Sequence, residues 1–514
     1  LSHLNTEARH NDVRNVGLLL VAAVLVRTVA FVFTQNFYGD AVVRTELGLR
    51  WAASPVWPAS WDSGVYQFGP LHIVLLGLVS KLWNAREDFG RALSLLCGVL
   101  TVVPVYALTR RLAGGAASLA AGFVFCMWSL HIQFSTTAGS EALSLLLSFS
   151  ALSFFARALE TDGVVPWLLT VVLMNLACAT RYDLWLWVPL LLVIQVFSGP
   201  TPIDAFKRTV MLGLGFSVFP LAWCYGNYVA KGDPLFPIHY IETYHRNWFP
   251  SQEALWGKSD YRVQNLLFWP GVAVCTLGPL ATLLALMGSV RAGLSKRGGR
   301  WLLWLIIAGT AYFTFKSAVL SNFVPLARFA VKEVALLVPF VAVGWEMFGD
   351  LRWQSLARGI KSLTVFTTLL LPVVLGLYTY QREGKWETSL KPISPVTTQP
   401  VELMKVAQFL KRQVAAKGES VILDTDLGQY RDLSLAFFSG LDEAHLARYR
   451  WEIFEESVKQ SSPRYLVLID GGDLLKKGRV RPQGDRLLFD AWEFEPLPAF
   501  IAPFAVYVRI DDPK

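Results

Sequence analysis

The stretch Asn15–Thr34, NVGLLLVAAVLVRTVAFVFT, decides the class of this chain. A helix of that length spans about 30 Å, the thickness of a bilayer's hydrocarbon core. The polar residues 1–14 precede it, and no small-residue cleavage site follows. It therefore reads as a retained membrane helix rather than a signal peptide. Directly after it comes Asn36-Phe37-Tyr38-Gly39-Asp40-Ala41. Asp40 is thus placed at the membrane–water boundary, at the depth of a lipid headgroup.

Working outward, the same kind of segment recurs along most of the 514 residues. The chain is 54% hydrophobic and only 17% charged, with a mean hydropathy of +0.41, which excludes a soluble domain of this size. Apolar segments predict about eleven spans, near 15–34, 91–109, 115–135, 141–158, 164–180, 183–198, 209–230, 268–290, 301–318, 324–347 and 360–380. The 19 Trp and 16 Tyr suit two interfacial belts. The net charge of +8 does not indicate nucleic acid, because the basic residues are spread over short loops. Arg110-Arg111, Lys207-Arg208, Arg291 to Arg300 and Arg352 to Lys361 fall on connections of one parity, together with Arg9 and Arg14. Positive residues collect on the cytoplasmic side, so the loops 35–90, 135–141, 231–267 and 319–323 are expected outside. Pro70–Trp83 is apolar but too short to span, and reads as a juxtamembrane helix of the first outer loop, 35–90.

These patterns predict a membrane domain over 1–390, a Pro/Ser/Thr-rich linker at 391–400 and a soluble α/β domain over 401–514. Val401–Ala415 has helical periodicity, while Ser420–Leu423, Tyr465–Ile469 and Ala505–Ile510 read as strands. An odd number of spans places this tail outside the cytoplasm. The five cysteines all lie in apolar segments without metal-ligand spacing and read as small buried hydrophobes.

Few charged residues sit where chemistry at the outer face would need them. Asp40 is a candidate base, or an N-cap for a helix over Ala41–Trp51. Glu141 opens a span, where an ionisable residue is costly unless it faces a polar cavity or stabilises a helix N-terminus. Asp40 and Glu141 could together hold Mg²⁺ or Mn²⁺, which prefer oxygen ligands. Arg328 and Lys332 are four apart, as if on one helix face, and suit a phosphate, or else snorkel at a helix end. Arg181 and Asp183 flank a tight turn, where they line a substrate site or simply pair. His72, His131, Tyr240 and His245 are further candidates for lining, each lone histidine also reading as a hydrogen-bonded structural residue.

Over about residues 15–380 the chain resembles the GT-C superfamily of membrane glycosyltransferases. It is most similar to bacterial members related to protein O-mannosyltransferases and the lipid A aminoarabinose transferase. The likeness rests on Asp40 after the first span and on Gln67-Phe68-Gly69-Pro70-Leu71-His72 before a short helix. Thr109-Arg110-Arg111-Leu112, Glu141, Ala179-Thr180-Arg181-Tyr182 and Ala327-Arg328-Phe329 add to it. The resemblance implies a multi-pass protein of the bacterial cytoplasmic (inner) membrane with its site on the outer face. It implies an inverting transferase that takes a sugar from a polyprenyl phosphate to a lipid, glycan or protein acceptor. Asp40 would be the base, Glu141 the second acid, and Arg328 would contact donor phosphate or acceptor, with Lys332 beside it and Gln67 as further candidates for the donor phosphate. Departures are Gly39-Asp40-Ala41 in place of the mannosyltransferases' Asp-Glu pair, and Gln67-Phe68 where many relatives carry a lysine. Glu141 also stands alone, without the Asp-x-Asp of oligosaccharyltransferases. The competing expectation is a transporter or lipid flippase, a class in which internal repeats are common; this chain has none.

Overall fold

The structure, a computed structural model, describes residues 2–34, 39–55, 68–83, 86–161, 163–198, 201–295, 299–348, 354–380, 393–397, 399–425, 431–441, 445–449 and 454–510. Its described residues form two units. One comprises those within Leu1–Thr34, Leu47–Tyr380 and Ser389–Thr397, the other those within Gln35–Glu46, Gln381–Thr388 and Thr398–Lys514.

The first unit is a helical bundle. Its elements are α1 (Ser2–Phe33), the end of α2 (Gly39–Ala53), α3 (Pro70–Leu82), α4 (Phe89–Leu100), α5 (Val102–Leu112), α6 (Gly115–Met127), α7 (Ser129–Ser135), α8 (Glu141–Thr161) and α9 (Val164–Thr180). After a 3₁₀ turn at Tyr182–Leu186 come α10 (Trp187–Val196), α11 (Pro202–Phe216), α12 (Val218–Lys231), α13 (Phe236–Trp256), α14 (Lys258–Leu277), α15 (Pro279–Leu294) and α16 (Arg300–Thr314). A π turn at Phe315–Val319 and a 3₁₀ turn at Ala327–Ala330 lead to α17 (Val331–Met347) and α18 (Gln354–Tyr380). Local sequence sets several of these boundaries. At α11, the Thr201 hydroxyl accepts the Asp204 N–H at 3.1 Å and Pro202 takes the first helical position. Gly232, at φ 72°, ends α12 in the left-handed region.

Among the described residues five helices are long and apolar enough to cross a membrane, or eight segments if each bent pair is one span. The expected span at 164–180 coincides with Val164–Thr180 and that at 183–198 with Tyr182–Val196, apolar helices shorter than the five long ones, and the one at 324–347 begins as loop and 3₁₀ turn. The expected straight span at 268–290 is broken, with α14 and α15 meeting at 118°. Gly278 lies between them at φ 95°, which favours glycine, and Pro279 starts the new helix. A second break, of 59°, falls at Trp128 between α6 and α7. The Trp128 indole N–H donates to Thr276 Oγ1 at 2.8 Å, so the two broken segments are tied together. Small residues allow close helix contact elsewhere: a Cβ on Gly288 of α15 would lie 2.0 Å from the Phe340 carbonyl oxygen. The expected outer loop 231–267 is largely helix α13, and residues 136–140, expected at an outer boundary, are fully buried. Residues 393–397 fold back on the end of α18, where Thr379 Oγ1 and Ser394 Oγ are 2.6 Å apart.

In the second unit α19 (Val401–Leu410) precedes β1 (Val421–Leu423), α20 (Arg431–Ser439), β2 (Leu446–Arg448), α21 (Phe454–Ser461), β3 (Tyr465–Ile469) and α22 (Asp473–Lys476). The chain ends in β4 (Val480–Gln483), β5 (Arg486–Phe489), β6 (Trp492–Pro496) and β7 (Phe504–Arg509). The sheet order is β2-β1-β3-β7-β6-β5-β4, with β2, β1 and β3 parallel and the rest antiparallel. Its core joins Ile422, Leu466 and Leu468 to Phe454, Phe489 and Phe494. The β4–β5 hairpin, with Gly484 at φ 63° as its first turn residue, was not anticipated from the sequence.

Candidate active site

In the first unit, three separated stretches of sequence meet. Gly69 lies against the end of α9, where an added Cβ would sit 2.4 Å from the Ala179 carbonyl oxygen. The Tyr182 hydroxyl donates to the Phe68 carbonyl at 3.0 Å and accepts from the Trp223 indole N–H at 3.0 Å. This fixes Arg181 at the start of the turn. Arg181 Nη1 donates to Glu141 Oε1 at 2.8 Å, while its Nε donates to Asp183 Oδ1 at 3.2 Å. Lys332 Nζ, from the first turn of α17, donates to Asp183 Oδ2. Two acids and two cations thus form one chain, Glu141–Arg181–Asp183–Lys332. Every member is largely buried; the Glu141 and Lys332 side chains are only 2% and 4% exposed. Charges are tolerated at such burial when paired and hydrogen-bonded.

An aromatic wall adjoins the chain. The Phe329 ring lies 5.7 Å from the Arg181 guanidinium and 5.1 Å from that of Arg328. Lys332 lies 5.8 Å from the Phe313 ring. Phe313, Phe323 and Phe329 are mutually in contact, and His245 stacks on Phe323 at 4.3 Å. His245 Nδ1 accepts the Val324 N–H at 3.2 Å and so braces the segment that carries Arg328. At the rim, Glu242 and Lys316 form an ion pair at 2.5 Å, and that hydrogen bond holds the Glu242 carboxyl below the usual range.

The candidates from sequence distribute as follows. Glu141, Arg181, Asp183 and Lys332 come together, with Arg328 beside them across Phe329. Arg328 and Lys332 do not share one α-helical face, because residues 327–330 form a 3₁₀ turn. His72 is buried on α3. His131 belongs to a different cluster, deep in the bundle, where its Nδ1 lies 2.6 Å from Arg27 Nη2. Tyr240 is exposed on α13, its ring tilted against that of Phe236. Asp40 is half-buried in the first turn of α2, inside the helix rather than capping it; this part of α2 belongs to the second unit. Gln67 lies outside the described residues.

Three further residues, Arg27, Arg91 and Phe329, have roles that the sequence does not assign. Arg27 is fully buried and donates to Ser135 Oγ at 3.2 Å and to the Cys126 carbonyl at 3.2 Å. Arg91 donates from Nε to the Thr136 carbonyl at 3.0 Å and also bonds the Phe31 and Thr34 carbonyls, anchoring the end of α1. An arginine inside an apolar run is itself a signal, and Arg27 carries it. Phe329 carried none beyond its place beside Arg328.

The described donor set does not fit the divalent ion expected on Asp40 and Glu141. Glu141 is engaged by a guanidinium, which would repel a dication at that oxygen. Among the described residues no three His, Cys, Asp or Glu side chains group closely enough to hold a metal.

Residues 68–223 match the family model of dolichyl-phosphate-mannose-protein mannosyltransferases. No curated protein matches the chain. Among solved structures, it is similar to the archaeal oligosaccharyltransferase AglB from Archaeoglobus fulgidus in complex with an inhibitory peptide and a dolichol-phosphate. That likeness has a TM-score of 0.57 at 12% identity and covers 89% of this chain and 69% of the other. The apo form of the Archaeoglobus fulgidus enzyme aligns with a TM-score of 0.56 at 13% identity, over the same shares of both chains. The matching stretch, which contains Glu141 and Arg181, is thus similar to membrane mannosyltransferases, and the chain as a whole, an apolar helical bundle with a C-terminal sheet, shares the fold of the oligosaccharyltransferase structures.

Proposed function

We propose that this protein moves a sugar from a polyprenyl-phosphate donor to an acceptor at the outer face of a bacterial cytoplasmic membrane, with inversion at the anomeric carbon. The observation that carries this reading is the convergence of Glu141, Arg181, Asp183 and Lys332, with Phe329 between Arg181 and Arg328. Such an array of fixed charges with a partly exposed arginine suits an anionic leaving group. In the proposed step Asp40 accepts the acceptor's hydroxyl proton. The acceptor oxygen bonds to the anomeric carbon as the bond from that carbon to phosphate oxygen breaks. The phosphate departs with the bonding pair, and Arg328 offsets its charge. Asp40 stands in the first turn of a helix, where the backbone dipole favours an anion. Glu141 holds Arg181 in place, and Lys332 and Arg181 together hold Asp183. The acceptor is a lipid, a glycan or a protein.

The decisive variant is Asp40→Asn. Asparagine keeps the side chain's shape but cannot take the proton, so transfer should fall by two to four orders of magnitude. Thermal stability should change little. Turnover within a few fold of the parent would remove Asp40 from the reaction.

A further inference from the structure

A groove of about 540 Å³ opens between α1 near Asp12 and the ends of α5 and α8, and the transfer reading makes no use of it. Glu141 opens α8 and Glu160 nearly closes it, so the groove lies at the opposite end of that helix from Glu141, about 30 Å away. Four charged residues rim it. Arg110 Nε donates to Asp12 Oδ1 at 2.9 Å, and Arg111 Nε donates to Glu160 Oε1 at 3.1 Å. The Nη1 groups donate to the Ala113 and Ala107 carbonyls. The Tyr106 hydroxyl fixes Asp12 from beneath, donating to Oδ1 at 2.8 Å. Among the described residues, Arg110 Nη2, Arg111 Nη2, Asp12 Oδ2 and Glu160 Oε2 make no hydrogen bond, and all four side chains are partly exposed. Below the rim the walls turn apolar. Val16 is one turn past Asp12, and Val103 lies seven residues before Arg110, about 10 Å toward the middle of the bundle.

We propose that this groove binds a zwitterionic phospholipid bearing a primary ammonium. Its phosphate bridges the Nη2 groups of Arg110 and Arg111. Its ammonium lies between Asp12 Oδ2 and Glu160 Oε2, and an acyl chain follows Val16 and Val103. Charge complementarity selects the occupant. The rim carries two cations and two anions, so it matches a phosphate and an ammonium together and gives a purely anionic headgroup no net attraction. The apolar walls run along the helices, as a lipid's chains do, which a soluble phosphate would not need.

The test is native mass spectrometry of the full chain in detergent, titrated with palmitoyl-oleoyl lipids bearing ethanolamine, glycerol or choline headgroups. The ethanolamine lipid should be retained about tenfold better than either of the others, since choline lacks N–H donors and glycerol lacks the cation. The double variant Arg110→Gln/Arg111→Gln should lose that preference. Equal retention of the three lipids by the parent protein would overturn the site, and that arm requires no variant to fold. Preferential retention of the glycerol lipid would overturn it too, reducing the arginines to general attraction for anionic membranes. So would an unaltered preference in the double variant.

Discussion

Replacing Arg328 by alanine removes a guanidinium that lies over the Phe329 ring and beside the buried charge chain. If it holds the leaving phosphate, the loss of a charge-assisted contact in a partly desolvated site costs about 1.5–3 kcal/mol. Donor kcat/KM should then fall by one to two orders of magnitude, with acceptor dependence unchanged. Arg328→Lys should recover only part of this, because lysine lacks the planar fork. Initial rates against the polyprenyl-phosphate sugar at saturating acceptor decide it; an effect confined to acceptor kinetics would move Arg328 to the acceptor side. Lys332 behaves differently, because it is already bonded to Asp183. The sequence placed both cations at the start of one segment, but only the 3₁₀ turn explains why they face different partners.

At the scale of elements, the contact between α3 and the end of α9 depends on a missing Cβ. Gly69→Ala would drive a methyl group into the Ala179 and Thr180 backbone, so it should destabilise the bundle by about 1–3 kcal/mol. A thermal melt in detergent reads this out, and a melt unchanged from the parent would show that α3 can shift without loss. The ion pair between α13 and the π turn gives a pH-dependent counterpart. Lys316 lowers the folded-state pKa of Glu242, so the pair's contribution is fully present above the unfolded carboxylate's pKa of about 4.3. It is lost as pH falls through the lower folded value. Glu242 is more than a third exposed, which limits the effect to about 0.5 kcal/mol. Glu242→Gln should therefore melt slightly below the parent at pH 7 and together with it near pH 3. A constant gap at both pH values would assign the effect to packing. In the second unit, Asp424 accepts N–H donors from Thr425, Ile469, Asp473 and Leu474 and closes the crevice at the ends of β1 and β3. Burial pushes its carboxyl up against the pull of those four donors.

At the scale of the whole molecule, orientation in the membrane is open to chemical labelling. Thr161 and Lys417 are exposed, at the end of α8 and in the tail. With the site and tail on the outer face, Lys417→Cys should react with an impermeant maleimide in intact cells, and Thr161→Cys only after permeabilisation. Reaction of both in intact cells would mean that the parity of spans between them differs from the proposed one. Ser140 would be a poor reporter despite its place between two apolar segments, because it is fully buried.

Membrane character, the helical bundle and the tail's β1, β3 and β7 were legible in the sequence, because they follow from local quantities. Apolar length marks a helix that must satisfy its own backbone in lipid, and short apolar runs bounded by turn residues mark strands. Asp40 and Glu141 were legible for a related reason: a lone carboxylate beside an apolar segment is conspicuous. The partnerships were not. Nothing local joins Glu141 to Arg181 or Asp183 to Lys332, which is 149 residues away. Those pairs form because a buried charge must find its opposite wherever the helices bring one, and the docking of Gly69 on α9 brings the turn into place. The break at Gly278 was also decided by tertiary structure. A glycine followed by proline permits a bend, but only the packing of Trp128 against Thr276 and of α15 against α17 fixes its direction.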